Sequence, residues 1–80
     1  MVVNTSAPLS RIQEISKLIE EDLARREAVA GTRLQPLREL AKTFGASYVT
    51  VQRAIKLLHG KGVVEVRPGD GIYVSSKDAE

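Results

Sequence analysis

The chain has 80 residues, no cysteine and a formal net charge of +2. At this length it can bury the core of one small domain, and it can form neither a disulfide nor a thiolate metal site. No apolar run approaches the roughly 18 residues that cross a bilayer, and residues 1–9 lack the apolar stretch of a signal peptide. His59 is the single histidine, and the sequence offers no metal-binding or nucleophile constellation and no phosphate-cradling loop. We therefore expect a cytoplasmic protein that is not an enzyme, holds no metal or cofactor and has no membrane partner.

The positive charge is concentrated in the middle of the chain. Residues 31–67 carry a net charge of +5, whereas residues 1–30 carry −1 and residues 68–80 carry −2. A basic patch of this kind attracts the phosphate backbone of nucleic acid, with an affinity that falls as salt rises. Charge alone favours an ordinary solvated surface, so the interpretation depends on which elements carry it.

The first predicted element is an amphipathic helix from Leu9 to about Glu27. Ser10, followed three residues later by Gln13, fits a capping box at its start. Its apolar residues recur at helical spacing: Ile12, Ile15, Leu18, Ile19 and Leu23. The exposed side mixes acidic and basic residues, which favours a supporting role over contact with nucleic acid.

The second predicted helix is short. Pro36 is expected at its first helical position, where the missing N–H costs nothing. One apolar stripe runs along it, formed by Leu37, Leu40, Ala41 and Phe44. Gly45 is expected to end the helix, because glycine readily adopts the left-handed conformation that closes a helix.

A third helix is predicted directly after the glycine turn. Ser47 is a good N-cap whose hydroxyl can accept a hydrogen bond from the Thr50 amide, so the helix should begin at about Tyr48. The inward stripe is Val51, Ala54, Ile55 and Leu58, and the opposite face carries Val49, Gln52, Arg53 and Lys56. Two short helices joined by such a turn form a helix-turn-helix, whose second helix enters the major groove of DNA. Taken alone, this stretch fits a plain packed helix pair equally well.

Two β-rich runs follow the third helix. Residues 63–67 and 72–74 flank a glycine- and proline-rich turn at 68–71, which predicts a β-hairpin. In winged-helix folds a segment such as residues 32–34 adds a third strand beside this hairpin. The predicted fold is therefore α+β: a winged helix-turn-helix with three helices and a small two- to three-stranded antiparallel sheet.

The two ends of the chain are predicted to lie outside this domain. Residues 1–8 show no periodicity and are expected to form a mobile tail. Residues 76–80 are expected to start a linker or C-terminal tail. The winged-helix domain should then span residues 9–75.

Several segments match one protein family at fixed spacing. They are Gly31-Thr32-Arg33-Leu34, Arg38-Glu39-Leu40-Ala41, Phe44-Gly45-Ala46-Ser47, Thr50-Val51, Ala54-Ile55, Leu58, residues 60–64 and residues 67–74. Through them the chain resembles the N-terminal DNA-binding domain of GntR-type bacterial transcription regulators. The resemblance implies sequence-specific binding of double-stranded DNA at a palindromic operator, as part of a repressor. It implies a homodimer only in a full-length parent that also has a C-terminal effector domain.

The resemblance and side-chain chemistry together give a set of candidate DNA contacts. They are Arg38, Ser47, Tyr48, Val49, Thr50, Gln52, Arg53, Lys56, Arg67, Gly69, Asp70 and Gly71. Arg38 is expected at a phosphate or a guanine, and Gln52 can pair with adenine through both ends of its amide. The family often has arginine at the positions of Tyr48 and Gln52 and glutamate at that of Arg53. These departures give no ground to assume the family's usual operator.

Asp70 is the unexpected residue of the predicted wing. Gly69 and Gly71 allow positive φ and are expected to let the backbone approach the duplex closely. An acid at the same tip would repel phosphates, and we favour this over the alternative that it accepts a hydrogen bond from a cytosine amine. Tyr73 is expected to pack on the sheet.

Two other functions fit the same sequence. The domain could be the head of a larger regulator fused to a pyridoxal-phosphate, aminotransferase-like domain, or a winged helix that binds another protein. Salt-dependent binding of duplex DNA would exclude the protein-binding module. The residues that follow Glu80 in the parent gene would decide whether the fusion exists.

Overall fold

A computed structural model describes residues 9–75 of the chain. In chain order the elements are helix α1 at Leu9–Arg25, helix α2 at Leu37–Phe44, helix α3 at Tyr48–Lys61, strand β1 at Val64–Arg67 and strand β2 at Gly71–Val74. The two strands form an antiparallel sheet. This confirms the predicted α+β winged helix-turn-helix with three helices. The predicted tail at residues 1–8 and linker at 76–80 lie outside the described residues.

Helix α1 packs one face against the rest of the domain. It buries Ile12, Ile15, Ser16, Ile19 and Leu23. Leu18, predicted on the same stripe, is 39% exposed. Ser16 is buried, and its hydroxyl donates a 2.8 Å hydrogen bond to the carbonyl of Gln13. Ser10 lies inside the helix, so the predicted capping box at this residue is wrong. The helix ends two residues before the predicted Glu27, whose left-handed backbone (φ 53°) turns the chain away.

The turn between α2 and α3 has the predicted geometry. Gly45 adopts the left-handed conformation (φ 61°, ψ 40°), and the Ser47 hydroxyl accepts a 3.1 Å hydrogen bond from the Thr50 amide. Pro36 occupies the N-cap position of α2, one residue before the predicted one, and provides no side-chain cap. The Arg11 guanidinium of α1 donates a 3.2 Å hydrogen bond to the Gly45 carbonyl. Helix α1 therefore supports the helix-turn-helix directly.

Helix α3 lies at the centre of the core. Val51, Ala54 and Leu58 are completely buried, and Ile55 is 4% exposed, as the helical spacing predicts. The remaining core comes from α1, α2, the segment before α2 and both strands: Ile12, Ile15, Ile19, Leu23, Leu34, Leu40, Val64, Ile72 and Val74. Because α3 contacts α1, α2 and β1, its orientation is fixed from three sides. The exposed face of α3 is therefore held in one orientation relative to the rest of the domain.

The hairpin places β1 and β2 in a defined register. Val64 lies opposite Val74, and Arg67 lies opposite Gly71. The expected third strand is reduced to a single antiparallel bridge between Arg33 and Tyr73. Two backbone hydrogen bonds of 2.8 Å flank this bridge, from Leu34 to Ile72 and from Val74 to Thr32. Within residues 9–75, no helix is long and apolar enough to cross a membrane.

Candidate nucleic-acid interface

The exposed face of α3 carries five of the twelve predicted contact residues. Tyr48 is 48% exposed and Val49 is 43% exposed, and Gln52, Arg53 and Lys56 also face solvent. Thr50 differs from this group, because it is only 5% exposed and its hydroxyl lies 2.8 Å from the Ser47 hydroxyl. Thr50 is therefore part of the α3 cap, and its hydroxyl is directed inward.

A cleft of about 590 Å³ separates α3 from the wing, defined here as residues 64–74. Its apolar wall includes Leu34, Leu37, Ile55, Val66 and Ile72, and basic side chains line it on both sides: Arg33, Arg38, Lys56 and Arg67. The predicted contacts that line this cleft are Arg38, Tyr48, Gln52, Lys56, Arg67, Gly69, Asp70 and Gly71. Ser47, Val49, Thr50 and Arg53 do not line it. The structure thus brings α2, α3 and the wing tip to one basic groove.

Several polar side chains along this groove remain available for a partner. In the part of the chain that the structure describes, Arg38, Gln52 and Lys56 form no side-chain hydrogen bond or ion pair. All three are exposed. Because these side chains have no competing partner in the protein and line the same groove, they can exchange bound water for contacts with the phosphates and base edges of DNA.

The wing tip is held by contacts of Asp70. Its amide donates a 2.9 Å hydrogen bond to the Arg67 carbonyl, closing the turn. Its carboxylate Oδ1 accepts a 2.9 Å hydrogen bond from the Tyr73 hydroxyl, and its carbonyl accepts a 2.8 Å bond from Arg33 Nη2. The prediction that Tyr73 packs on the sheet is confirmed, with Arg67 stacked 4.3 Å from the ring centre. Its hydroxyl contact with Asp70 was not predicted.

The two wing glycines are needed for different reasons. Gly69 has a positive φ of 75°, as predicted. Gly71 does not use this freedom, because its φ is not positive. A Cβ built on Gly71 would lie 2.9 Å from Nε of Arg33, so the Arg33 guanidinium would have to shift from its present position. Glycine at this position therefore gives the Arg33 side chain room to cross the strand.

Arg33 is the residue of the groove that the sequence analysis did not single out. It belongs to a segment too short to be recognised as a strand by its own pattern. One feature of the sequence could have identified it. Arg33 belongs to the segment expected to pair with the wing, so a basic side chain was expected beside the wing strands. Its partners, Asp70 and Tyr73, are 37 and 40 positions away in the sequence, and no local pattern connects them.

Metal chemistry has no support in the described residues. No group of three or more histidine, aspartate or glutamate side chains within residues 9–75 could hold a metal ion. His59 is exposed near the end of α3, away from the groove lining.

Comparison with known proteins extends the assignment beyond the fold. The family model for bacterial regulatory proteins of the gntR family matches residues 11–74. The Uxu operon transcriptional regulator of Escherichia coli K12 is 39% identical over 62 residues, which are 78% of this chain and 24% of that protein. The transcriptional repressor NanR of Escherichia coli O1:K1 / APEC is 34% identical over 79 residues, which are 94% of this chain and 30% of that protein.

Among solved structures, the DNA-binding domain of AraR in complex with operator ORX1 superimposes with a TM-score of 0.75. The match covers 94% of this chain and 93% of that one at 19% identity, so it supports the fold. The chain spans less than a third of the length of both curated relatives. With the family model matched from α1 through β2, the chain belongs to the gntR family of bacterial regulatory proteins, as its winged helix-turn-helix DNA-binding domain.

Proposed function

We propose that this domain binds double-stranded operator DNA in a sequence-specific manner and that it does so through the groove between α3 and the wing. The observation that carries the proposal is the convergence of Arg38, Gln52 and Lys56, three exposed and uncommitted side chains, on one basic groove within residues 9–75. A binding role of this kind requires no catalytic group, and we propose that the domain is not an enzyme.

The chemistry of each side chain indicates which part of the DNA it would contact. The first turns of α3 enter the major groove, where Gln52 pairs with adenine and Val49 contacts a thymine methyl. Arg38, Ser47 and Lys56 contact phosphates and fix the register of the domain. Thr50 acts indirectly, by holding the Ser47 hydroxyl at the start of α3.

Four further candidate residues complete the proposed surface. Tyr48 lines the groove and can bond to a phosphate through its hydroxyl, and Arg53 adds positive charge beside it. Arg67 and the glycine turn at the wing tip approach the neighbouring backbone, where Gly69 removes a side chain that would stand in the way.

We propose that the domain acts within a longer, cytoplasmic regulator. The curated relatives are more than three times as long as the matched segment, and one of them is described as a repressor. A parent of that kind would dimerise through its remaining residues and bind a palindromic operator, because two-fold symmetry in the protein is matched by two-fold symmetry in the site. Occupation of the operator would repress transcription.

Exchange of Lys56 for alanine tests the phosphate contacts of this proposal. We expect Lys56→Ala to weaken binding to every duplex to a similar extent and to reduce the slope of log K against log salt by about 1. Fluorescence anisotropy with a selected duplex and an unrelated duplex, at several salt concentrations, measures both quantities.

Lys17→Ala is the matched control, since Lys17 is equally basic and exposed but lies on α1 outside the groove lining. It should leave the affinity and the slope unchanged. If the two variants reduce the slope equally, the groove is not the site of phosphate contact.

A further inference from the structure

We propose that Asp70 is a positioning residue of the wing, which holds the guanidinium groups of Arg33 and Arg67 at the edge of the groove for contact with DNA phosphates. The inference rests on the proposed function, since it concerns the same groove. It adds a second role to the expected repulsion of phosphates, because the Asp70 carboxylate is already engaged within the wing.

Two arginine side chains lie beside the ring of Tyr73. Arg67 and Arg33 approach its ring from the two neighbouring segments of the sheet, with guanidinium carbons 4.3 Å and 6.0 Å from the ring centre. Both distances are within the range of cation–π attraction. The ring can hold the two cations only while its own orientation is fixed, and the hydrogen bond from its hydroxyl to Asp70 provides that restraint.

Arg33 is also held by a hydrogen bond to residue 70. Its Nη2 donates to the backbone carbonyl of Asp70 at 2.8 Å, a bond that does not depend on the Asp70 side chain, and its guanidinium passes so close to Gly71 that a Cβ there would displace it. Arg33 is exposed, and an exposed arginine would otherwise sample many rotamers. The contacts with Asp70 and Gly71 select one path for it, toward the groove that it lines.

Acidic groups lie close to the two arginines and affect them electrostatically. Two guanidinium groups beside one ring repel each other, and the acidic groups nearby offset that repulsion. The Asp70 carboxylate is bound to the tyrosine between them, and Glu65 lies 3.3 Å from Arg67. The pair of Glu65 and Arg67 is half exposed on both sides, so it is weak and a phosphate can displace it.

An acid at the tip of a DNA-binding wing can favour binding if it orders the neighbouring arginine side chains before DNA binds. Ordering a long side chain on binding lowers affinity, and a side chain that is already ordered avoids that loss. The Asp70 side chain therefore has two opposed effects on binding: its charge repels phosphates, and its carboxylate oxygen orders the Tyr73 ring and, through the ring, the two arginines. These effects can be separated, because asparagine retains an acceptor oxygen and loses the charge.

The test compares Asp70→Asn with Asp70→Ala, which lack the same charge and differ in the acceptor. Affinity for one selected duplex is measured by anisotropy at a fixed salt concentration. We expect Asp70→Ala to bind about three- to tenfold more weakly than Asp70→Asn, the effect of one lost hydrogen bond. In a Tyr73→Phe background, where the hydroxyl donor is absent, the two variants should agree within about twofold.

A second readout does not require DNA. In the free chain, the Tyr73 ring should shift the side-chain proton resonances of Arg33 and Arg67, and these shifts should persist in Asp70→Asn and diminish in Asp70→Ala. The inference is overturned if the two Asp70 variants bind alike in the Tyr73 chain, if their affinity ratio is the same in the Tyr73→Phe background, or if the arginine shifts survive in Asp70→Ala. Salt-dependent binding by the unmodified chain then still supports the proposed function, so the two failures are distinguishable.

Discussion

Replacing Leu58 with alanine is expected to lower the free energy of unfolding by about 3 kcal/mol, within the range of about 2–5 kcal/mol for buried leucines. Leu58 is completely buried on α3, the helix that contacts α1, α2 and β1. Removal of its isobutyl group leaves a cavity that three packed elements cannot all move to fill. For a domain of this size, whose total stability is about 5–10 kcal/mol, the loss is a large fraction.

Urea denaturation followed by far-ultraviolet circular dichroism measures this loss. Leu18→Ala is the matched control, because Leu18 is the same residue type in a helix and is 39% exposed. It should change the free energy of unfolding by less than about 1 kcal/mol. Similar losses in the two variants would show that α3 does not form the centre of the core.

Gln52→Ala is expected to relax base choice at one position of the bound sequence, at a cost of about 1–3 kcal/mol for the preferred duplex. Gln52 is exposed, lines the groove and, within the described residues, has no side-chain partner that would compete with a base. Its amide can donate to one acceptor and accept from one donor on adenine, which no other base offers in the same arrangement.

Selection of bound sequences from random duplex DNA measures this effect, with the unmodified domain and the variant compared at one salt concentration. Gln13→Ala serves as the control, because Gln13 is exposed on α1 and lies outside the groove lining. It should return the base preferences of the unmodified domain. If Gln52→Ala also returns them unchanged, Gln52 is not a reader of sequence.

The parts of the fold that follow local rules could be predicted from the sequence. The burial of Val51, Ala54 and Leu58 follows from helical periodicity, and the positions of Gly45 and Ser47 follow from the chemistry of helix ends. Each of these signals lies within about four residues in the chain, a distance over which the backbone geometry is nearly fixed. The face of α3 that remains free was predicted for the same reason.

The features that could not be predicted from the sequence depend on contacts between residues far apart in the chain, or on which side chains of a helix the neighbouring elements bury. Tyr73 and Arg33 meet Asp70 only after the hairpin and the segment before α2 have paired. Gly71 was placed in the turn at 68–71, but it begins β2, and its lack of a side chain leaves space for Arg33 from another segment. On α1, Ser16 rather than Leu18 faces the core, because the width of the buried stripe is set by the elements that pack against it.

The most direct test of the account is the affinity of the unmodified chain for a selected duplex and for an unrelated duplex, measured between about 50 mM and about 200 mM salt. We predict tighter binding to the selected duplex at every salt concentration, and a slope of log K against log salt steeper than about −2, because Arg38, Lys56 and Arg67 each meet a phosphate. Equal affinity for both duplexes, or an affinity that does not change with salt, would contradict the proposal that the groove between α3 and the wing reads operator DNA.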